Sequence, residues 1–225
     1  MTALWGSLVP LILGSALVPI QVMITLLLLR SKSGKMTAVA FVGGLTFTRL
    51  LQGGVFGLVL SNSTVESTKS GPGVVLSVVI LLTGILLLVT GLKQVFTTED
   101  PDAPPPKWLV MTETMTPLKA FAVGAGMLLL QVKFWLFTLG ALSAIGAANV
   151  GQPSATVYFI VFVILAESLS IIAVTYAYLA PRQSSAVLER AAGWLRAHNR
   201  VLVIALGVIF GVWFTVKGLV GLGVL

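Results

Sequence analysis

Cysteine is absent from the 225 residues and histidine occurs once, at His198. Disulfides, thiol redox chemistry and Cys/His metal centres are thereby excluded, and no redox compartment can be read from the chain. Charge is scarce too: 9% of the residues are Asp, Glu, Lys or Arg, where soluble chains carry about a quarter. Acids are the scarcer sign, 7 against 14 bases, for a net charge of +7. In a soluble protein that surplus would point to nucleic acid. Here the bases sit beside apolar runs without interleaved aromatics, so they read as a membrane-surface signal and no nucleic-acid partner is expected. Also missing are a nucleophile with a His or carboxylate partner, a phosphate-binding glycine loop and a metal constellation. Neither enzymatic activity nor a cofactor is expected.

What fills the chain instead is apolar. Hydrophobic residues make up 57% and the mean hydropathy is +1.04, the composition of an all-α membrane protein. Six transmembrane helices are read at 4–29, 36–60, 73–92, 118–148, 154–180 and 201–223. At roughly 20 residues per span they leave too little for a separate soluble core. The first run is not a cleaved signal peptide: it lacks a basic start, is long, and contains Pro10, Gly14 and Pro19, which imply kinks or a break.

The connectors divide by charge. Arg30, Lys32 and Lys35 follow span one, Lys93, Lys107 and Lys119 surround the third connector, and Arg182, Arg190, Arg196 and Arg200 occupy the fifth, whereas connectors two and four share Lys69 alone. The positive-inside rule makes connectors one, three and five cytoplasmic and places both termini outside. The expected location is a bacterial cytoplasmic membrane, and an internal membrane such as a thylakoid fits the same pattern. Residues 97–117, with five of the ten prolines, read as a cytoplasmic linker between a first three-helix unit, 1–96, and a second, 118–225. In 184–199, Val187, Leu188, Ala191, Trp194 and Leu195 share a helical stripe, with Glu189, Arg190 and Arg196 off it. That predicts a short amphipathic helix in the interface before the last span; the other reading is a plain extension of that span.

Charged and amide side chains within the spans are the candidate functional residues, because each is costly in hydrocarbon and must face protein or water. They are Gln21 in span one, Arg49 and Gln52 in span two, Gln131 and Lys133 in span four, and Glu167 in span five. Arg49 lies thirteen residues after Met36 and eleven before Leu60; Glu167 lies thirteen from both Ser154 and Ala180. Counting likewise puts Lys133 at similar depth, while Lys217 is near enough to the outer surface to snorkel. The midplane set is then Arg49 and Lys133 against Glu167, 2 − 1 = +1, which favours an anionic group or polar lipid headgroup over a cation. Two readings of Arg49 and Glu167 stand: a buried structural pair, or functional charges. The amides read either as interhelical glue or as ligands, and Gly43–Gly44, Gly53–Gly54–Gly57 and Gly207–Gly211 as helix-packing surfaces.

Because three is odd, the second unit enters the membrane upside down, giving two inverted three-helix repeats in which Pro19–Gln21 and Gln131–Lys133 fall in corresponding first helices. Pro19 marks the first-helix break.

Three stretches carry a resemblance: SALVPIQVMITLLLLRSKSGKMTAVAFVGG (15–44), PPPKWLVMTETMTPLKAFAVGAGMLL (104–129) and LERAAGWLRAHNRVLVIALGVIFGVWFTVKGL (188–219). Together they resemble the peptidoglycolipid-addressing family, also called GAP or sulfolipid-1-addressing proteins, of the lysine-exporter superfamily. The resemblance implies a small six-helix carrier of inverted-repeat architecture that transports, or assists the export of, cell-envelope glycolipids. Two places depart from the family pattern. Where relatives have Ser-Pro-x-Pro this chain has Val18-Pro19-Ile20-Gln21, and where they have Asn-Pro-Lys it has Gln131-Val132-Lys133.

The leading expectation is a carrier or export-assisting protein for a polar lipid or other anionic amphiphile, with Arg49, Lys133, Glu167, Gln21, Gln52 and Gln131 binding it. A small-solute or ion exporter and a non-transporting assembly subunit are the alternatives. Membrane lipids are expected partners, and a homodimer or larger membrane complex is a further expectation.

Overall fold

The structure, a computed structural model, describes residues 2–31, 34–62, 72–96 and 112–225. Most of the linker read at 97–117 therefore lies outside the described residues, as does connector two. Among the described residues there are nine α-helices: α1 (Thr2–Ala16), α2 (Pro19–Arg30), α3 (Gly34–Asn62), α4 (Pro72–Phe96), α5 (Pro117–Leu130), α6 (Val132–Ala147), α7 (Ser154–Ala166), α8 (Ser168–Leu179) and α9 (Pro181–Gly221). A short 3-10 turn, Thr112–Thr114, precedes α5, whose first turn is capped by the Thr116 side chain accepting from the Lys119 N–H.

Three helices, α3, α4 and α9, are long and apolar enough to cross a membrane unbroken. The other spans are bent pairs: α1 and α2 meet at 48°, α5 and α6 at 70°, α7 and α8 at 65°. Counting each pair as one span gives six, so the chain is an all-α membrane protein. Helices suit this setting because every backbone N–H finds its carbonyl within the segment, where hydrocarbon offers no alternative. Hydroxyls in the spans solve the same problem locally: Thr25, Thr83, Thr90 and Thr138 each donate to the carbonyl four residues back.

Helix pairing rests on close backbone approach at glycines. In the α4–α9 pair a Cβ on Gly207 would stand 2.8 Å from the Gly91 Cα, and one on Gly218 would stand 2.7 Å from the Leu81 N. In the α3–α5 pair Gly44 lies against the Phe121 carbonyl and Gly124 against that of Phe41. Lipid tails are as apolar as leucine, so helices gain little hydrophobic drive from meeting. Close van der Waals fit supplies the adhesion, and small residues allow it. The core between these pairs includes the fully buried Leu8, Leu11, Phe41, Phe134, Phe137 and Phe162.

The interfacial segment differs from the separate short helix expected. Residues 184–199 are helical but run without interruption into the last span, forming the single 41-residue helix α9. At 1.5 Å per residue it is about 60 Å long, roughly twice the hydrocarbon thickness. Nothing in Ala197-His198-Asn199-Arg200 breaks a helix, and Arg200 donates to the Gln94 and Val95 carbonyls at the end of α4. The apolar stripe read there also divides. Leu188 and Ala192 pack with Leu26, Ala173 and Ala177 of α2 and α8, whereas Val187 and Trp194 are about half exposed, at 48% and 53%.

Candidate functional site

The α1/α2 break leaves Val18 extended, and Pro19 opens α2, where a missing N–H costs nothing. The second break falls at Gln131, extended at φ −100°, ψ 107°, with no proline to force it. Here the Trp135 indole N–H donates to the Leu129 carbonyl at 2.9 Å, supplying a donor that the interrupted ladder no longer gives. The third break centres on Glu167, at φ −108°, ψ 7°, and was not foreseen from the sequence. It turns the backbone at the one acidic residue of span five.

Around the first and third breaks the buried polar groups gather. Arg49 of α3 is fully buried, and its Nε donates to Glu167 Oε1 at 3.2 Å. Its Nη2 donates to Ser15 Oγ at the end of α1, and Thr46 Oγ1 donates to Glu167 Oε2 through a short hydrogen bond. The guanidinium carbon stands 5.8 Å from the centre of the Phe162 ring, a distance at which the ring face attracts a cation. Arg49 Nη1 has no partner among the described residues. Four elements, α1, α3, α7 and the α7/α8 break, thus converge on one guanidinium.

Gln21, 2% exposed, sits on the first turn of α2, and its Nε2 is a second buried donor without a partner among the described residues. Its backbone carbonyl accepts from Thr25, whose hydroxyl lies 3.1 Å from Ser170 Oγ, three residues beyond Glu167. Gln52 belongs to a separate contact. Its amide reaches the Leu128 carbonyl at 3.5 Å and its Oε1 accepts from Thr138 at 3.0 Å, joining α3 to the two arms of the second break. Gln131 is half-buried at that break. Lys133 is the second residue of α6, and its side chain lies outside the described residues. The anticipated six-residue set is thus divided: Arg49 and Glu167 are bonded, Gln21 is linked to their neighbourhood through Thr25 and Ser170, and Gln52 serves another seam.

Ser15, Thr46, Thr25 and Ser170 were missed in the sequence reading. Hydroxyls within apolar helices usually bond their own backbone, so nothing in their spacing marked these as partners of charges. Lys217 was read as snorkelling; its Nζ donates to the Gly6 carbonyl at 2.8 Å and lies 3.3 Å from Ser7 Oγ. Among the described residues no three His, Cys, Asp or Glu side chains group as metal ligands.

The family described as Sap, sulfolipid-1-addressing protein, has a sequence model that matches residues 8–220, nearly the whole chain. The chain belongs to the Sap family. Comparison with curated proteins and with solved structures found no match. For this Sap-family chain the match runs through all three breaks and through the cluster around Arg49, and it identifies a membrane protein tied by family to sulfolipid addressing.

Proposed function

We propose that this protein carries, or assists the export of, a polar anionic lipid across the bacterial cytoplasmic membrane, with both termini outside and its two three-helix units acting as inverted repeats. The observation that carries the reading is the fully buried Arg49, whose Nη1 has no protein partner among the described residues. A buried guanidinium with a spare donor is costly unless an acceptor completes it. The ester or acid oxygens of an anionic headgroup are suited to that role, and Gln21 Nε2, on the same span as Ser15, is a second buried donor without a partner among the described residues. Membership of a family described as addressing a sulfolipid supports the lipid class. The first-helix breaks of both halves, at Val18 and Gln131, support a carrier, since discontinuous spans are where transporters expose backbone and polar groups near the midplane.

The test is envelope-lipid export in cells that depend on this protein, comparing wild type with Arg49→Lys and Gln21→Leu after matching membrane levels. Lysine keeps the charge but loses the fork, so export should fall severely in Arg49→Lys and measurably in Gln21→Leu. Wild-type export by both variants would overturn the headgroup assignment.

A second reading, an assembly subunit, draws on the first half of α9. There Val187, Trp194 and Val201 are exposed on a helix that outruns the bilayer. It is tested by asking whether Trp194→Ala removes a co-purifying subunit while lipid export in proteoliposomes is unchanged.

A further inference from the structure

Most glycines in the spans are explained by a neighbouring helix; Gly54 and Gly57 of α3 are not, and neither are Gly6 and Gly126 elsewhere. Gly53 packs against the Phe159 ring, but a Cβ built on Gly54 or Gly57 would meet nothing within 4 Å. Gly146 near the end of α6 is the same. The spacing of Gly53 and Gly57 matches the packing motif predicted for this stretch, yet no neighbouring helix comes within 4 Å of a Cβ on Gly54 or Gly57. Glycine within a helix costs up to about 1 kcal/mol relative to alanine, and here that cost is not returned by close packing. What these positions leave is a groove of about 540 Å³ between α3, α6 and α7.

The groove lies at the end of the spans that carries the α6–α7 turn. Gly53 and Gly57 are 19 and 23 residues beyond the start of α3 at Gly34, and Phe159 is five residues into α7. Leu50 and Ile160 at its edges are 44% and 43% exposed, continuous with the lipid-facing side chains Leu51, Val55 and Ile164. At one end the lining turns polar: Thr156 Oγ1 donates to Gln152 Oε1 at 2.8 Å. Phe159 and Phe162, stacked with centroids 6.1 Å apart, separate the groove from Arg49.

We propose that this groove seats one acyl chain of a bilayer lipid. An apolar cleft open to hydrocarbon does not fill with water, which would lack hydrogen-bond partners there. The molecules present at its mouth are lipid tails. A tail lying along Gly54 and Gly57 meets helix backbone at close range. No hydrophobic gain accompanies a move from bilayer to groove, so retention comes from dispersion, and the selectivity over bulk tails is modest. This deepens the lipid reading and relies on it for the groove's part in transport; the occupancy itself is tested without transport.

The full chain is reconstituted in phosphatidylethanolamine/phosphatidylglycerol vesicles containing a phosphatidylglycerol with a mid-chain diazirine, irradiated, and mapped by peptide mass spectrometry. Labelling per residue of 50–57, 142–146 and 155–160 is expected to exceed that of the lipid-facing Leu82, Ile85 and Val89 on α4 by about twofold to fivefold. Gly54→Leu and Gly146→Leu, each of which starts from a position where a Cβ meets nothing within 4 Å, should each bring it down to the α4 level. Circular dichroism and gel filtration confirm folding, and α4 labelling serves as the internal reference. Equal labelling of groove and α4 in wild type, or excess labelling that survives both substitutions, would overturn the proposal. Because occupancy and export are read separately, groove labelling can persist when the headgroup variants show the carrier reading to be wrong, and can vanish when that reading holds.

Discussion

Removing one member of the Arg49–Glu167 pair should damage the fold far more than removing both. Glu167→Leu leaves a fully buried guanidinium with only Ser15 Oγ as acceptor, and Arg49→Met leaves a carboxylate held by Thr46 alone. Breaking a buried pair from either side costs about 3–5 kcal/mol, because the remaining charge is uncompensated. In the double variant both charges are gone and two side chains of similar bulk remain. Thr46 is then free to bond its own helix as Thr25 and Thr83 do, so the residual cost is that of one or two lost hydrogen bonds, about 1–2 kcal/mol. The singles therefore sum to about 6–10 kcal/mol, and the double should fall several kcal/mol short of that sum. The assay is reversible unfolding in mixed micelles with increasing SDS, followed by far-UV circular dichroism. Additive effects, or single variants within about 1 kcal/mol of wild type, would refute the claim that this pair is sealed from water and mutually dependent. The same double variant separates the two roles open to the pair: restored stability with lost export makes the charges functional, and restored stability with normal export makes them structural.

Other consequences are more local. Gly211→Leu should prevent α4 and α9 from docking, since a Cβ there would stand 2.8 Å from the Leu88 N; the measure is loss of folded protein on gel filtration, whereas Gly54→Leu, with open space at its Cβ, should remain folded. Arg30→Ala should cost no more than about 1 kcal/mol and become neutral in high salt, because its 2.9 Å bridge to Glu189 is exposed at both ends, as salt-dependent unfolding would report. Trp135→Phe keeps the ring but loses the bond to the Leu129 carbonyl, which should destabilise the second break by about 1 kcal/mol and speed amide exchange around 129–133. Gln21→Leu should leave stability unchanged or raise it by about 1 kcal/mol, because it removes a buried donor that has no partner among the described residues; unfolding in SDS reads the sign.

The spans were legible because hydrocarbon imposes length and composition directly: a run of apolar residues about 20 long has few other uses. Depth was legible for the same reason. Counting from the ends brought Arg49 and Glu167 to one level, and the structure joins them at 3.2 Å. Geometry inside the spans was not. The Gln131 break has no proline, and what completes it, an indole four residues along the chain, carries no pattern in the sequence. The turn at Glu167 has no glycine or proline beside it. The small-residue motif gave the same sign at Gly207–Gly211, where a helix is pressed against the backbone, and at Gly53–Gly57, where a ring covers the first glycine and nothing lies within 4 Å of a Cβ on the second. A one-dimensional spacing says that a helix face is smooth; it does not say what lies against it. The extent of α9 was lost because an amphipathic stripe describes a face, and one continuous helix can carry an amphipathic face at one end and an all-apolar surface at the other.

The unbroken and the broken helices have different places in the molecule. α4 and α9 meet backbone to backbone along Gly91, Gly207 and Gly218, a fit that leaves little freedom to slide. The first bent pair is tied to α9 at both of its ends, by Lys217 to the Gly6 carbonyl near the start of α1 and by Glu189 to Arg30 at the end of α2. Between those ties lies the break at Val18, and beside it a small void of about 60 Å³ bordered by Gly14, Pro19, Gly207 and Phe210. Ser15 and Gln21, on either side of that break, are the residues through which the first span reaches Arg49 and, by way of Thr25, Ser170. The first span thus touches α9 at both ends while its break borders open space, and its bonds toward the Arg49 cluster run from the two residues that flank that break.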